Sequence, residues 1–241
     1  MAFKDKYWKT NVETFFSYQG KKYMGQWPTF REMMEISEER FPDNEAFKAI
    51  VPKVVTFTYK EALKKIREIA YYLVATGAKK GDHIAVTGKN SPEWALAYFA
   101  ISFAGCIIVP LDYSLHIEDM EKILAFGDVD RIFIDGEKID EIDKEGKLFK
   151  EKISLEPESK GYKYVLDLTG PETELPKLHA EDTAAMLFTS GTTGTPKGVM
   201  LSFSNFMSST LSSQRLFDVY PTDVFYAILP IHHAYTMTAV L

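Results

Sequence analysis

H-I-A-V-T-G-K-N-S-P-E-W-A-L-A-Y-F-A-I-S-F-A-G-C-I-I-V-P, residues His83 to Pro110, carries the architecture of this chain. His83 to Thr87 is apolar and β-branched, which reads as a strand. Ser91-Pro92-Glu93 is a helix start: a capping hydroxyl, a proline in the first turn, and an acid at the positive end of the dipole. The helix is expected over Pro92 to Ala104, and Gly105 stops it. Cys106 to Val109 then reads as a second strand, broken by Pro110. The eighteen residues from Trp94 to Leu111 carry no charge, which reaches the length of a membrane span. The internal helix stop and the β-branched run that follows argue instead for a buried helix and a buried strand.

The same alternation continues. Ile117 to Phe126 reads as a helix and Arg131 to Ile134 as a strand, with Lys79 to Asp82 a turn ahead of the first strand. Strands that are nearly continuous in apolar residues and alternate with helices imply an α/β fold, a mostly parallel sheet flanked by helices. Upstream, Thr29 with Glu32 and Thr58 with Glu61 are capping boxes, each opening an amphipathic helix. Phe30, Met33, Met34 and Phe41 line the first, which Pro42 stops. Tyr59, Ala62, Leu63, Ile66, Ile69, Ala70 and Leu73 line the second, which ends at Gly77.

Asp135 to Lys160 is different, since fifteen of its twenty-six residues are charged. A solvated helix or excursion is expected there. Tyr164 to Leu168 returns to strand character, and Gly170-Pro171 with Pro176 reads as a linker. Ser204 is expected to cap a helix running to about Phe217, with Phe206, Met207, Thr210, Leu211 and Phe217 on its apolar side.

Leu187 to Val199, L-F-T-S-G-T-T-G-T-P-K-G-V, holds the chemistry. A strand, Thr183 to Phe188, runs into hydroxyls, spaced glycines and one lysine. Glycine lets backbone approach a ligand, so Gly191, Gly194 and Gly198 can present N–H groups to a phosphate chain. Thr189, Ser190, Thr192 and Thr193 add neutral donors, and Lys197 adds the full charge. The spacing is not that of a Walker loop, because Pro196 stands five residues after Gly191 and glycine follows Lys197. G-x-G and G-x-S-x-G are absent from the chain, which removes the dinucleotide, kinase and hydrolase-elbow patterns.

A net charge of −6 argues against a nucleic-acid surface, and 46% hydrophobic residues suffice for a core. The single cysteine, Cys106, lies in an apolar run and reads as a buried thiol in a reducing compartment. Met1 to Asn11 lacks the apolar stretch of a signal peptide, so the cytoplasm is the expected location. No transmembrane span is expected, which leaves room for peripheral membrane contact, and the oligomeric state is open. The histidines form no ligand-spaced cluster, so no protein metal site is expected.

Thr189-Ser190-Gly191-Thr192-Thr193-Gly194-Thr195-Pro196-Lys197-Gly198 resembles the signature of the adenylate-forming enzymes, which include acyl-CoA synthetases, luciferases and peptide-synthetase adenylation domains. Gly81-Asp82, Asn90-Ser91-Pro92-Glu93-Trp94 and Val109-Pro110-Leu111 extend the likeness over about Pro28 to the end. The N-x-P-E-W string leans towards the branch that activates medium- or long-chain fatty acids. The resemblance implies that a carboxylate attacks the α-phosphorus of ATP and that a thiol, usually of coenzyme A, then takes the acyl group. It implies that Thr189, Ser190, Gly191, Thr192, Thr193, Gly194 and Lys197 carry the β- and γ-phosphates, with Mg2+ bridging them. Leu229-Pro230-Ile231-His232-His233-Ala234 resembles the P-x-x-H segment, which implies a substrate-pocket place for His233 and leaves His232 unassigned.

The chain also departs from the pattern. Phe203 stands where the family shows a histidine, while Asn205 matches, so a polar contact there is in doubt. The Y-G-x-T-E segment and the C-terminal adenylation lysine do not occur, and the sequence stops in an apolar run at Leu241. The expected organisation is an extension over 1–28, a first α/β subdomain over 29–178, and the phosphate-loop segment with the start of a second subdomain over 179–241, the C-terminal domain being absent. Such an N-terminal part is expected to be inactive alone. A non-catalytic nucleotide- or pyrophosphate-binding domain is the alternative, as is a ligase for another acid or for carrier-protein loading.

Overall fold

The computed structural model describes residues 27–189, 196–214 and 219–239. The expectations for Met1 to Asn11, Ser190 to Thr195, Phe217 and the last two residues lie outside them.

Both capping boxes form. Thr29 and Thr58 each accept from the N–H three residues on, and Glu32 and Glu61 reach back to the cap N–H groups at 2.7 and 2.9 Å. They open α1 (Phe30–Arg40) and α2 (Tyr59–Ala75). Between them lies an antiparallel hairpin, β1 (Glu45–Ala49) and β2 (Val55–Thr58), for which the sequence shows no clear signal. The strands are short and half-buried, and Phe47 is their main anchor, stacked on Phe99 at 6.0 Å.

β3 (His83–Thr87), α3 (Pro92–Phe103) and β4 (Ile107–Pro110) follow the expected order. α3 is buried on every side from Trp94 to Phe103, which explains its unbroken apolar sequence. Its twelve residues span about 18 Å, well short of a bilayer core. Among the described residues no helix is long and apolar enough to cross a membrane. α2 and α3 end alike: Gly77 and Gly105 have φ of +93° and +81°, and Ala78 and Cys106 donate back to Leu73 and Ile101. This is the Schellman closure that glycine permits without strain.

α4 (Ile117–Phe126), β5 (Val129–Ile134), the short α5 (Gly136–Ile139), β6 (Glu151–Ser154), β7 (Lys163–Tyr164) and a single 3-10 turn at Val165–Asp167 come next. The charged stretch from Asp135 to Lys160 is therefore more than a solvated excursion, because it delivers β6 to the sheet beside β5. Lys152 can lie in that strand because its Nζ donates to the carbonyls of Ile139 and Ile142 at 3.0 and 2.9 Å. β8 (Thr183–Thr189), β9 (Lys197–Ser202), α6 (Phe203–Gln214) and α7 (Ala234–Ala239) complete the described elements.

The main sheet runs β7-β6-β5-β3-β4-β8-β9, parallel throughout except for β8 against β9. β8 pairs with β4, so segments on either side of residue 178 share one sheet. Alternate residues feed two cores, the pattern of strands buried on both faces. Ile84, Val86, Ile108 and Phe133 join α1, α2 and α3, while Ala85, Val109, Ile132 and Ile134 join Met120 and Leu124 of α4. Cys106 is buried as expected, and burial pushes its thiol up to about 12.

Phe30 ties α1 to two other helices. Its ring lies 5.7 and 5.9 Å from Tyr98 and Phe99 of α3, and 5.1 and 5.2 Å from Phe203 and Phe206 of α6. Removing it leaves a cavity bounded by four rings, so Phe30→Ala is expected to cost about 3–5 kcal/mol. Urea unfolding monitored by circular dichroism measures this loss.

Candidate phosphate-binding site and its neighbours

The site is built where parallel strands end. β3, β4, β5 and β8 point the same way, so Lys89, Asp112, Asp135 and Thr189 all lie at the carboxyl edge of the sheet. Ligands of open α/β sheets bind at that edge. β8 and β9 hold the motif there as a ladder in which Met186 faces Met200, Leu187 faces Val199 and Phe188 faces Gly198. The last pair is Thr189 with Lys197, both exposed. The two ends of the motif are therefore fixed opposite one another, a hydroxyl and a cation at the mouth of the loop. Ser190, Gly191, Thr192, Thr193 and Gly194 lie outside the described residues.

Gly198 also has a packing reason. It sits inside β9, and a Cβ there would come 2.9 Å from Met186 Sδ. Close cross-strand packing thus favours a small residue there.

The start of α6 also differs. The cap is Ser202, not Ser204: Ser202 Oγ accepts from the Asn205 N–H at 3.3 Å, and Asn205 Oδ1 accepts from the Ser202 N–H at 3.0 Å. This is a capping box with asparagine in the third position. Ser204 instead donates its N–H to the Ala180 carbonyl at 2.8 Å. Phe203, at the position of the family's histidine, is buried against Phe30. Ring packing thus occupies the place where a polar contact was in doubt.

The two histidines differ sharply. His233 is exposed and precedes α7, where its Nδ1 accepts from the Tyr235 N–H at a long 3.4 Å. His232 is the one turned to the sheet, with Nε2 3.7 Å from Asp112 Oδ1 at the end of β4. Burial lowers the His232 pKa, Asp112 opposes that and His233 adds to it. Burial works against the charge of Asp112, but the Ser114 N–H and hydroxyl, with His232 and Lys138, hold its pKa below the usual value.

Asn90 is the residue that sequence reasoning missed. Its Nδ2 donates to the carbonyls of Ala227 and Leu229 at 2.7 and 2.8 Å, and its Oδ1 accepts from the Ile231 N–H at 2.8 Å. No local signal announces a contact across more than 130 positions of chain.

Asp135 closes the other flank. It is buried, accepts from the Lys89 N–H at 2.9 Å, and approaches Gly88 so closely that a Cβ there would lie 2.4 Å from Oδ1. Among the described residues no group of three or more acidic, histidine or cysteine side chains could hold a metal ion. Thr189 and Lys197, the described ends of the motif, carry donors suited to an anion.

Residues 34–241 match the model of the family described as AMP-binding enzyme, and the chain belongs to that family. It is 31% identical over 180 residues to an L-proline–[L-prolyl-carrier protein] ligase of Streptomyces coelicolor, covering 70% of this chain and 34% of that protein. It is 28% identical over 247 residues to a long-chain-fatty-acid–CoA ligase of Bacillus subtilis, covering 88% of this chain and 44% of that protein. In fold it resembles a structure from Rhodopseudomonas palustris named for a long-chain-fatty-acid CoA ligase, with a TM-score of 0.78 at 20% identity over 88% of this chain and 55% of that one. The chain thus spans less than half the length of these curated relatives.

Burial pushes the Asp135 carboxyl up to about 6 from its ordinary 3.8, with Glu156 adding to the rise and the Lys89 N–H opposing it. A raised pKa means that the folded state binds the proton more tightly than the unfolded state. The stability this contributes is full below about pH 4 and is lost as pH rises through 6. Asp135→Asn should remove that dependence, gaining about 2 kcal/mol on the wild type between pH 4 and 7.5. Parallel urea melts of the two proteins across this range check the sign and the size.

Proposed function

We propose that the whole protein activates a medium- or long-chain fatty acid in two steps at the carboxyl edge of this sheet. The acid's carboxylate oxygen attacks the α-phosphorus of Mg-ATP, the bond from that phosphorus to the bridging oxygen breaks, and pyrophosphate leaves. The sulfur of coenzyme A then attacks the acyl carbon and AMP departs, the thiol proton passing to solvent. The observation that carries this reading is the opposition of Thr189 and Lys197 across the mouth of the β8–β9 hairpin.

That geometry suits a departing pyrophosphate. Preset donors aimed at developing charge stabilise it without reorganising. A cation about 4 Å from a phosphate oxygen contributes roughly 4 kcal/mol at an effective dielectric near 20. In this reading Thr189, Ser190, Gly191, Thr192, Thr193, Gly194 and Lys197 hold the β- and γ-phosphates. Lys197 balances charge, and the hydroxyls and amides supply geometry that can loosen for release. The hairpin joins them to the sheet, so the donors keep their spacing as the charge moves. His233 borders the acyl group in this scheme, close to the His232–Asp112 pair.

The fatty-acid assignment draws support from the Asn90–Trp94 string and from the Bacillus subtilis relative. The Streptomyces coelicolor relative favours a second reading, an amino acid loaded onto a carrier protein. ATP–pyrophosphate exchange separates them. Decanoate or palmitate should stimulate exchange by the whole protein at least about tenfold more than L-proline, and the reverse ranking would favour carrier loading. Lys197→Met should slow exchange about 100-fold with the fold intact, and unchanged exchange in that variant removes the lysine from the mechanism.

A further inference from the structure

Residues 221–230 form no helix or strand. They are not held by burial either, since Val224, Phe225, Tyr226, Ile228 and Leu229 are all exposed, Ile228 to 88%. Internal backbone bonding is sparse: Ile228 donates to Tyr226 within the stretch, and Asp223 donates to Tyr220 just ahead of it. Yet the stretch leads directly to Ile231, which is only 4% exposed, and then to His232 and His233.

One side chain satisfies three of its backbone groups. Asn90 stands just beyond β3 and meets Ala227, Leu229 and Ile231, every second residue of the stretch. Its carboxamide thus does the work of a neighbouring strand. The orientation of the amide follows from its partners: two carbonyls can only accept, so they face Nδ2, and an N–H can only donate, so it faces Oδ1. Asp112, at the end of the adjacent strand β4, meets His232 from the same edge.

We propose that Asn90 is a positioning residue, a latch that seats the 227–233 segment on the carboxyl edge of the sheet and so sets where His232 and His233 stand. This rests on the reading that the segment borders the acid, which Asn90 itself does not touch. It assigns a distinct job to Asn90 in the loop between β3 and α3. The three bonds act together, and losing the carboxamide loosens the mostly exposed part of the segment, Ala227 to Pro230, and the approach to Ile231, because burial there is too slight to replace them.

Amide hydrogen exchange and histidine ring NMR on the 241-residue chain test the latch. Asn90→Ala should speed exchange of the Ile231 N–H at least about tenfold and shift the ring signals of His232 and His233. The amides of β3 and β4 and the ring signals of His83 and His179 should hold. Asn90→Asp keeps an acceptor for Ile231 and sets an oxygen against two carbonyls. It should restore part of the Ile231 protection while leaving the rings of His232 and His233 displaced. Unchanged exchange and rings in Asn90→Ala would overturn the latch, and so would a loss of protection spread evenly over β3 and β4. In the whole protein, Asn90→Ala should raise KM for the fatty acid about tenfold while KM for ATP stays level, and an unchanged acid KM overturns the positioning role. A wild type that adenylates no acid would instead sink the proposed function and leave the exchange result standing.

Discussion

The burial of α3 on all sides is the constraint from which the rest of the structure follows. A helix with no polar face must be covered by the sheet on one side and by other helices on the other. β3 and β4 flank it in sequence and lie parallel, so both end at the same edge. β5 and β8 extend that sheet on either side in the same direction. The edge where these strands end collects Asn90, Asp112, Asp135 and Thr189 without any of them having to contact another. The site is thus a consequence of parallel pairing, and the chemistry is supplied by whichever residues follow each strand.

Much of this was legible, and the reason is local punctuation. Ser91-Pro92, Gly77, Gly105 and the two capping boxes each act within a few residues, so their meaning survives without knowledge of the fold. β6 was hidden because its charges are satisfied at a distance: Lys152 reads as solvated until the carbonyls of Ile139 and Ile142 are seen around its ammonium. The β1–β2 hairpin was hidden because short, half-buried strands show little alternation. Ser204 is a credible cap by residue type alone, and the partner at Asn205 makes Ser202 the cap instead.

For the candidate site, the composition between Thr189 and Lys197 invites the reading of a phosphate grip, but it says nothing of the anchoring. The antiparallel turn of β9 against β8 sets a hydroxyl across from the cation, and that pairing is a tertiary fact. Gly198 shows the limit of reading residue type. A glycine in such a motif invites a ligand explanation, and the neighbouring Met186 side chain supplies a packing reason that the sequence does not announce. The histidine pair shows the converse, since the residue turned to the sheet is His232, which no spacing had marked. Asn90 acts through backbone groups far along the chain, and no pattern in one sequence encodes such a contact.

The central claim is that the β8–β9 hairpin presents a phosphate grip at the carboxyl edge. The most direct measurement is an NMR titration of the glycine-15N-labelled 241-residue chain with pyrophosphate. The account predicts that the Gly191 and Gly194 amides shift, with a midpoint on the order of 1 mM, while Gly77 and Gly105 at the opposite edge stay fixed. Silent Gly191 and Gly194 amides at about 20 mM pyrophosphate, some twenty times that midpoint, or larger shifts at Gly77 and Gly105, would contradict it.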